Sequence, residues 1–273
     1  RYFDLYDLAP MGYLTFNARG LIYEANLSAA TMLGVTRKDL FKNLIAQSLF
    51  HEDSDIYYLH RKRLLETGEV QAWDMRLMRA DGSVFWAHLQ STPAHNGEYW
   101  IVFSDISERR KIDEVQSYLL QMGSNPSSED FFESLASYLA KTLNMDYVCI
   151  DRLQGDCLAA RTLAVYHDGR FEDNVEYTLK DTPCGDVVGK EICVFPRGVC
   201  SLFPQDPALQ DLQAESYVGT TLWSFDMKPI GLIAVIGRKE LANSHFAETV
   251  LKLVSIRAAA ELERIRRGFQ AGD

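Results

Sequence analysis

The side chains best able to act as nucleophiles, metal ligands or proton carriers in this chain of 273 residues are five cysteines, Cys149, Cys157, Cys184, Cys193 and Cys200, and six histidines. All five thiols fall in the second half, and none forms a Cys-x-x-Cys pair. Eight residues separate Cys184 from Cys193 and six more lead to Cys200, which matches no common zinc spacing. A metal site shared with His167 is the one metal arrangement left open. An odd thiol count in a chain of intracellular character points to reduced cysteines rather than a disulfide framework. His245 opens His-Phe-Ala-Glu-Thr, which lacks the His-Glu followed by Arg-Thr-Pro of a kinase phosphoacceptor and reads as a helix-start residue. No glycine pair has the spacing of a phosphate cradle, and no Ser-His-Asp set stands out. What remains is a joint. In I-V-F-S-D-I-S-E-R-R at 101–110 an apolar strand runs into a charged helix through Asp105-Ile106-Ser107, and the Asp105 carboxylate is able to accept hydrogen bonds that fix the strand-to-helix angle.

The elements that position this joint follow from periodicity. Asp81-Gly82 and Asn96-Gly97 separate runs of strand-forming residues and tolerate the positive φ of two-residue hairpin turns, which predicts antiparallel strands at 70–80, 83–92 and 98–104. Shorter strands at 12–17 and 21–24 turn at Arg19-Gly20, and short helices occupy 27–67. Trp73, Met75 and Leu77 alternate with Asp74, Arg76 and Met78, and Tyr99, Ile101 and Phe103 share a face, so one side of this five-stranded sheet is apolar. Residues 107–122 form an amphipathic helix with Ser107 as N-cap and Ile112, Val115, Leu119 and Met122 as a heptad seam, which pairs with a second copy or packs on the next domain. The polar stretch 123–128 is the domain boundary. Beyond it, a helix capped by Ser127 or Ser128 carries Phe131, Leu135, Leu139 and Leu143. Strands are expected at 147–153, 158–166, 175–179, 191–195, 220–226 and 230–238, with a turn at Gly155-Asp156 and a last helix over 243–267.

Composition bounds the function. With 47% hydrophobic and 24% charged residues the chain is long enough for two cores, and no apolar run approaches the roughly 20 residues of a membrane-spanning helix. No signal-peptide pattern opens it, so a cytoplasmic protein is expected. The first residue is Arg1, and the chain reads as a piece of a longer protein whose output domain is absent. A net charge of −10 argues against nucleic acid as partner, and the basic clusters at 61–63, 109–111 and 264–267 read as solvated helix faces.

The order of elements, with A-P-M-G-Y-L-T-F-N-A-R-G-L-I-Y-E-A-N at 9–26, R-A-D-G-S-V-F-W at 79–86 and D-I-S-E-R-R at 105–110, resembles the PAS sensor family over about 1–112. That resemblance implies a signal cavity between sheet and helices and an exit through the helix after the hinge. The segments D-T-P-C-G-D-V-V at 181–188, I-C-V-F-P-R-G-V at 192–199, F-P-Q-D-P-A-L at 203–209, A-E-S-Y-V-G-T-T-L at 214–222 and R-A-A-A-E-L-E-R at 257–264 are similar to GAF domains of bacterial signalling proteins over about 125–267. Here the resemblance implies a sensor whose segment 180–215 covers a pocket, ahead of a histidine kinase or diguanylate cyclase.

The cofactor motifs of these families are mostly missing. The flavin type needs a cysteine that 1–148 lacks, the bilin type needs a Cys-His pair that does not occur, and the Asn-Lys, Phe and Asp-Glu signature of cyclic-nucleotide binders is absent. Haem is left to His51 or His60, with surface histidines as the plainer reading; His88 and His95 read as solvated. Methionine sulfoxide reductases of GAF type suggest a role for Cys184, but 201–273 holds no attacking cysteine.

The expected architecture is α+β: a PAS-like domain at 1–106, an amphipathic signalling helix at 107–124 and a GAF-like domain at 125–267, each domain a central antiparallel sheet with flanking helices. The expected function is a non-enzymatic sensory input module with Asp105, Ile106 and Ser107 as the signal relay. Trp73, Met75, Trp86 and Trp100, and in the second half Cys184, Cys193 and Tyr217, are the expected pocket residues. The ligand is an unidentified small molecule, the cofactor is left open, no membrane is involved, and a homodimer through helices is expected. The alternative is a dimerisation scaffold with filled cores.

Overall fold

The computed structural model describes residues 2–94, 97–122, 128–155 and 157–270. Four sequence expectations fall wholly or partly outside them: His95 with the Asn96-Gly97 turn, the boundary at 123–128, the cap at Ser127 or Ser128, and the Gly155-Asp156 turn. The chain divides into two compact units, Arg1–Lys111 and Ile112–Asp273.

In the first unit α1 (Tyr2–Asp7) precedes the hairpin β1 (Gly12–Asn17) and β2 (Ile22–Ala25). There follow α2 (Leu27–Leu33), α3 (Arg37–Leu40), two short 3-10 turns and α4 (Ser54–Thr67), then β3 (Gln71–Met78), β4 (Val84–Pro93) and β5 (Glu98–Asp105). The five strands form one antiparallel sheet in the order β2-β1-β5-β4-β3. Asn26 begins α2 because its carboxamide is fully used: Oδ1 accepts the amides of Tyr13 and Ala29, and Nδ2 donates to the carbonyls of Tyr6 and Met11. Thr36 and Asp39 close a capping box on α3, and α2 and α4 end at Gly34 and Gly68, both left-handed. The alternation read from the sequence holds: Trp73, Met75 and Leu77 join Phe85, Ala87, Leu89, Ile101 and Phe103 in the core beneath α2 and α4. One turn differs from expectation. Arg79 and Ser83 still pair, so the loop is the three residues 80–82 with Gly82 at φ 84°, because Asp81 accepts the Ser83 amide and adds a residue to the turn.

Among the described residues the second unit is built on seven antiparallel strands. After α5 (Ser107–Met122), which starts in the first unit, and α6 (Ser128–Leu143) come β6 (Tyr147–Leu153), β7 (Ala159–His167), β8 (Arg170–Glu172) and β9 (Glu176–Thr178). Short helices α7 (Pro183–Val187), α8 (Val199–Leu202) and α9 (Pro207–Leu212) surround β10 (Ile192–Phe195). The hairpin β11 (Ser216–Trp223) and β12 (Pro229–Gly237) and the long α10 (Ser244–Gln270) complete it. Strand order is β10-β11-β12-β6-β7-β8, with β9 also on β7. One face packs on α6 and α10 through Leu135, Leu139, Ile150, Val218, Val235, Val250 and Val254; α5 adds Val115, with Ile112, Leu119 and Met122 against it. The heptad seam of α5 is therefore occupied within this unit. The opposite face lies under α7, α8 and α9.

The strand expected at 220–226 instead begins at Ser216 and stops at Trp223. Its hydroxyls look like loop chemistry but are bonded: Ser216 to the Lys239 carbonyl, Thr220 to Glu191 and Thr221 to Val187. Residues 224–228 are the turn, with Met227 at φ 57°.

Leu139 is fully buried between helix and sheet. Leu139→Ala should destabilise the second unit by about 2–5 kcal/mol in a urea titration, because the removed methyls leave a cavity that fixed strands on one side cannot close.

Candidate functional site

Two groups of polar side chains stand out, one where β5 meets α5 and one inside the second unit. At the first, β5 ends at Asp105, whose Oδ1 accepts the Ser107 amide at 2.9 Å and whose Oδ2 accepts Arg79 Nη2 at 2.9 Å. The Ile106 amide donates to the Trp86 carbonyl at 2.8 Å, and the Trp86 amide donates to Ser107 Oγ at 2.9 Å. Ser107 is thus the first helical residue rather than the cap, its hydroxyl being taken by the sheet. The first turn of α5 also lies on β4: the Arg110 guanidinium sits 3.6 Å from the Trp86 ring centroid and 3.5 Å from Asp74, which His88 bonds at 2.7 Å.

These contacts decide where the expected pocket residues of the first unit lie. Trp73 is in the core, its indole N–H directed at Met75 Sδ (3.2 Å) and its ring stacked on His60 at 4.7 Å. Trp86 and Trp100 alternate with the buried residues of β4 and β5 and lie on the other face of the sheet, Trp100 47% exposed. The structure brings Trp73 and Met75 together and leaves Trp86 and Trp100 out of that interior. His60 is held by Trp73 and Gln71, and His51 is exposed. Among the described residues no group of three His, Cys, Asp or Glu is placed to hold a metal, and the five cysteines are free thiols.

Of the second group, Cys184 and Tyr217 were expected pocket residues and Cys149 was one of the five thiols, whereas Tyr147, Asp151 and Tyr177 were not singled out in the sequence. Tyr147, Cys149 and Asp151 are spaced two apart on β6 and face α7–α9, while Val148 and Ile150 face α6 and α10. Asp151 is 0% exposed. Its Oδ1 accepts the Cys149 thiol at 2.7 Å and its Oδ2 the Tyr177 hydroxyl at 2.8 Å. No cationic side chain among the described residues pairs with it. Burial pushes its pKa from 3.8 up to about 6, with the two donors pulling the other way. The bulge of β7 lies here: Ile150 pairs with Ala164 and Asp151 with Thr162, so Leu163 is the extra residue.

Cys184 and Tyr217 close the same face. The Tyr217 hydroxyl reaches Cys184 Sγ at 3.3 Å, and burial raises the Cys184 thiol to about 12 and the Cys149 thiol and the Tyr177 and Tyr217 phenols as well. A thiol so held is a poor nucleophile. Cys193 sits on β10 at the rim, with its thiol 3.6 Å from the Asp186 carbonyl. Gly185 is required by packing, since a Cβ there would stand 2.2 Å from the Leu179 carbonyl oxygen. Outside α7, an open groove of about 650 Å³ is lined by Leu158, Thr178, Lys180, Thr182, Asp186 and Phe203.

A family model for the PAS fold matches residues 1–106. The first unit is a PAS domain. No curated protein matches the chain. Among solved structures, the chromophore-binding domain of Stigmatella aurantiaca phytochrome P1 is 11% identical over 93% of this chain and 98% of its own, with a TM-score of 0.45. The chromophore-binding domain of the bacteriophytochrome RpBphP3 from R. palustris is 10% identical over 95% of each chain, TM-score 0.48. A PAS domain of a LuxR-family regulator from Burkholderia thailandensis, solved with ethanol, is 22% identical over 39% of this chain and 98% of its own, TM-score 0.35. Identities and scores this low carry no chemistry to this chain. The unit after the PAS domain is GAF-like in layout, with helices on one face of an antiparallel sheet and the segment 180–215 across the other.

Asp151 makes the GAF-like unit sensitive to pH. A carboxyl whose folded pKa lies above its unfolded value binds its proton more tightly when folded, so its contribution is present below about pH 4 and is lost as pH rises through about 6. Relative to Asp151→Asn, the wild-type chain should lose roughly 2 kcal/mol of stability between pH 4 and pH 7, read from urea midpoints at each pH. Parallel curves for the two proteins would refute the assignment.

Proposed function

We propose that the chain is the sensory input module of a signal-transduction protein, with the Asp105-Ile106-Ser107 joint as its relay. One observation carries this reading: the first turn of α5 is bonded to the PAS sheet through Trp86 and Asp105, while Val115 of the same helix is fully buried in the core of the GAF-like unit. A change in the packing of the PAS sheet moves the groups that hold Ser107 and Arg110, and a helix transmits displacement along its axis. The ligand is a small molecule, and the Asp151 cluster under the 180–215 segment is the place in the GAF-like unit where polar groups meet in an apolar setting. The output is a domain of histidine-kinase or diguanylate-cyclase type, and the location is the cytoplasm; among the described residues no helix is long and apolar enough to cross a membrane.

A second reading is favoured by one surface. Phe225, Met227 and Ile256, 76%, 70% and 73% exposed, line a shallow apolar groove of about 340 Å³ beside α10. This is the kind of face a dimerisation scaffold presents. With the α5 seam occupied, a homodimer through helices uses α10.

The relay is tested in a fusion of this chain to a histidine-kinase domain. Coupling between input and output is worth ~1–3 kcal/mol, so Asp105→Ala should change autophosphorylation about 5–150-fold, with the melting of the GAF-like unit unmoved. Unchanged autophosphorylation would remove the relay from the joint and leave the scaffold reading.

A further inference from the structure

We propose that the PAS unit binds a small oxyanion of carboxylate type between Tyr57 and Arg61 of α4 and the turn that joins β1 to β2. Tyr57 is 2% exposed, and its hydroxyl has no hydrogen-bond partner among the described residues. Arg61 lies one helical turn further on the same face, and its buried Nε is likewise without a partner. Buried polar groups are almost always bonded, so two orphaned donors side by side on one helix mark a place where an acceptor belongs.

The turn supplies the opposite wall. Arg61 Nη2 donates to the Ala18 carbonyl, which anchors the guanidinium and leaves Nε–H directed elsewhere. A Cβ built on Gly20 would lie 3.8 Å from the Tyr57 hydroxyl and 4.0 Å from Leu44 Cδ2, so the hydroxyl points at the one residue of the turn without a side chain. Asn17 holds the turn in shape: its Oδ1 accepts the amides of Arg19 and Leu21, and its carbonyl accepts the Gly20 amide. The acceptor site is thus framed by rigid backbone on one side and by two donors of a single helix on the other.

The donor set selects the chemistry. Tyr57 O–H and Arg61 Nε–H both offer protons, Arg61 is positively charged, and no carboxylate among the described residues pairs with it. Desolvation raises the Tyr57 phenol to about 12, which keeps it a donor across the physiological range. An anion with two acceptor positions satisfies both donors and the charge, and charge-assisted bonds to a guanidinium favour planar carboxylates. A water molecule is the competing occupant, and it would need acceptors for its own two protons. The site goes beyond the reading of the chain as an input module and depends on it only for the signalling consequence.

The probe is sodium acetate, titrated into the whole chain against sodium chloride at equal ionic strength, with saturation transfer from protein to the acetate methyl and the melting temperature as readouts. Saturation transfer and a dose-dependent rise in melting temperature are expected with acetate, and no such rise with chloride. Tyr57→Phe and Arg61→Gln should each weaken acetate binding at least tenfold. Tyr57→Phe removes one oxygen and keeps the ring in the core, so its folding guards against a trivial loss in the charge variant. Absence of saturation transfer in the wild-type chain overturns the proposal, as does unchanged affinity in both variants or a crystal structure grown in acetate with a single water bridging Tyr57 and Arg61. Acetate binding without any change in the kinase fusion supports the site and removes it as the signal input, leaving the relay to its own test; an effect of Asp105→Ala without acetate binding counts against the site alone.

Discussion

Trp86 directs both of its main-chain polar groups to the joint that follows β5, its carbonyl to the Ile106 amide and its amide to Ser107 Oγ. A strand residue normally gives these groups to its ladder neighbours. Here β5 has ended, and the chain that turns away into α5 takes the place of the missing partner. The helix is therefore fastened to the sheet by the backbone of β4 as well as by side chains, and Asp105, Arg79 and Arg110 act around a connection that already exists. Because backbone bonds have fixed geometry, the direction in which α5 leaves is a property of the sheet itself.

The two interiors follow different chemistry. The PAS core is closed by apolar contacts between alternate strand residues and helices, and its few polar groups lie at the margins, as with Asn26 and the Asp53 carboxylate, which the Arg76 guanidinium holds below its usual range. The GAF-like unit is apolar only on the face toward α6 and α10. Its other face mixes Leu232 and Ala234 with an acid, two thiols and two phenols, and all of these depend on one another for hydrogen bonds. An acid kept in such a setting is tolerated because two donors reach it, and removing either would leave a buried oxygen without a partner.

Much of this was legible in the sequence because period-two alternation is a strong signal: Trp73, Met75 and Leu77 lie where their spacing puts them. The same rule would have excluded Trp86 and Trp100, since each sits out of phase with Phe85, Ala87, Ile101 and Phe103; their aromatic character outweighed their position. Asp151 escaped notice for the opposite reason. An acid in Tyr-Val-Cys-Ile-Asp reads as the solvated side of a strand, and only the helices α7–α9, which are too short to show periodicity, make that side an interior. Strand β11 was placed four residues late in the reading, at 220–226, because Ser216 and Gly219 are poor strand formers by type, and the carbonyl that satisfies the Ser216 hydroxyl comes from Lys239, distant in sequence. Tyr57 and Arg61 give no local sign at all, since a missing partner is a fact of three dimensions.

Helix α5 has a property that follows from geometry alone. Arg110 must meet the Trp86 ring and Val115 must enter an apolar core, and the helix advances about 100° per residue. Inserting or deleting a single residue between these positions would turn the Arg110 face and the Val115 face of the helix by about 100° relative to each other, whereas a change of seven residues would restore their phase almost fully. The segment is thus quantised in phase: the angle between its two committed faces returns to its present value only at steps of about seven residues.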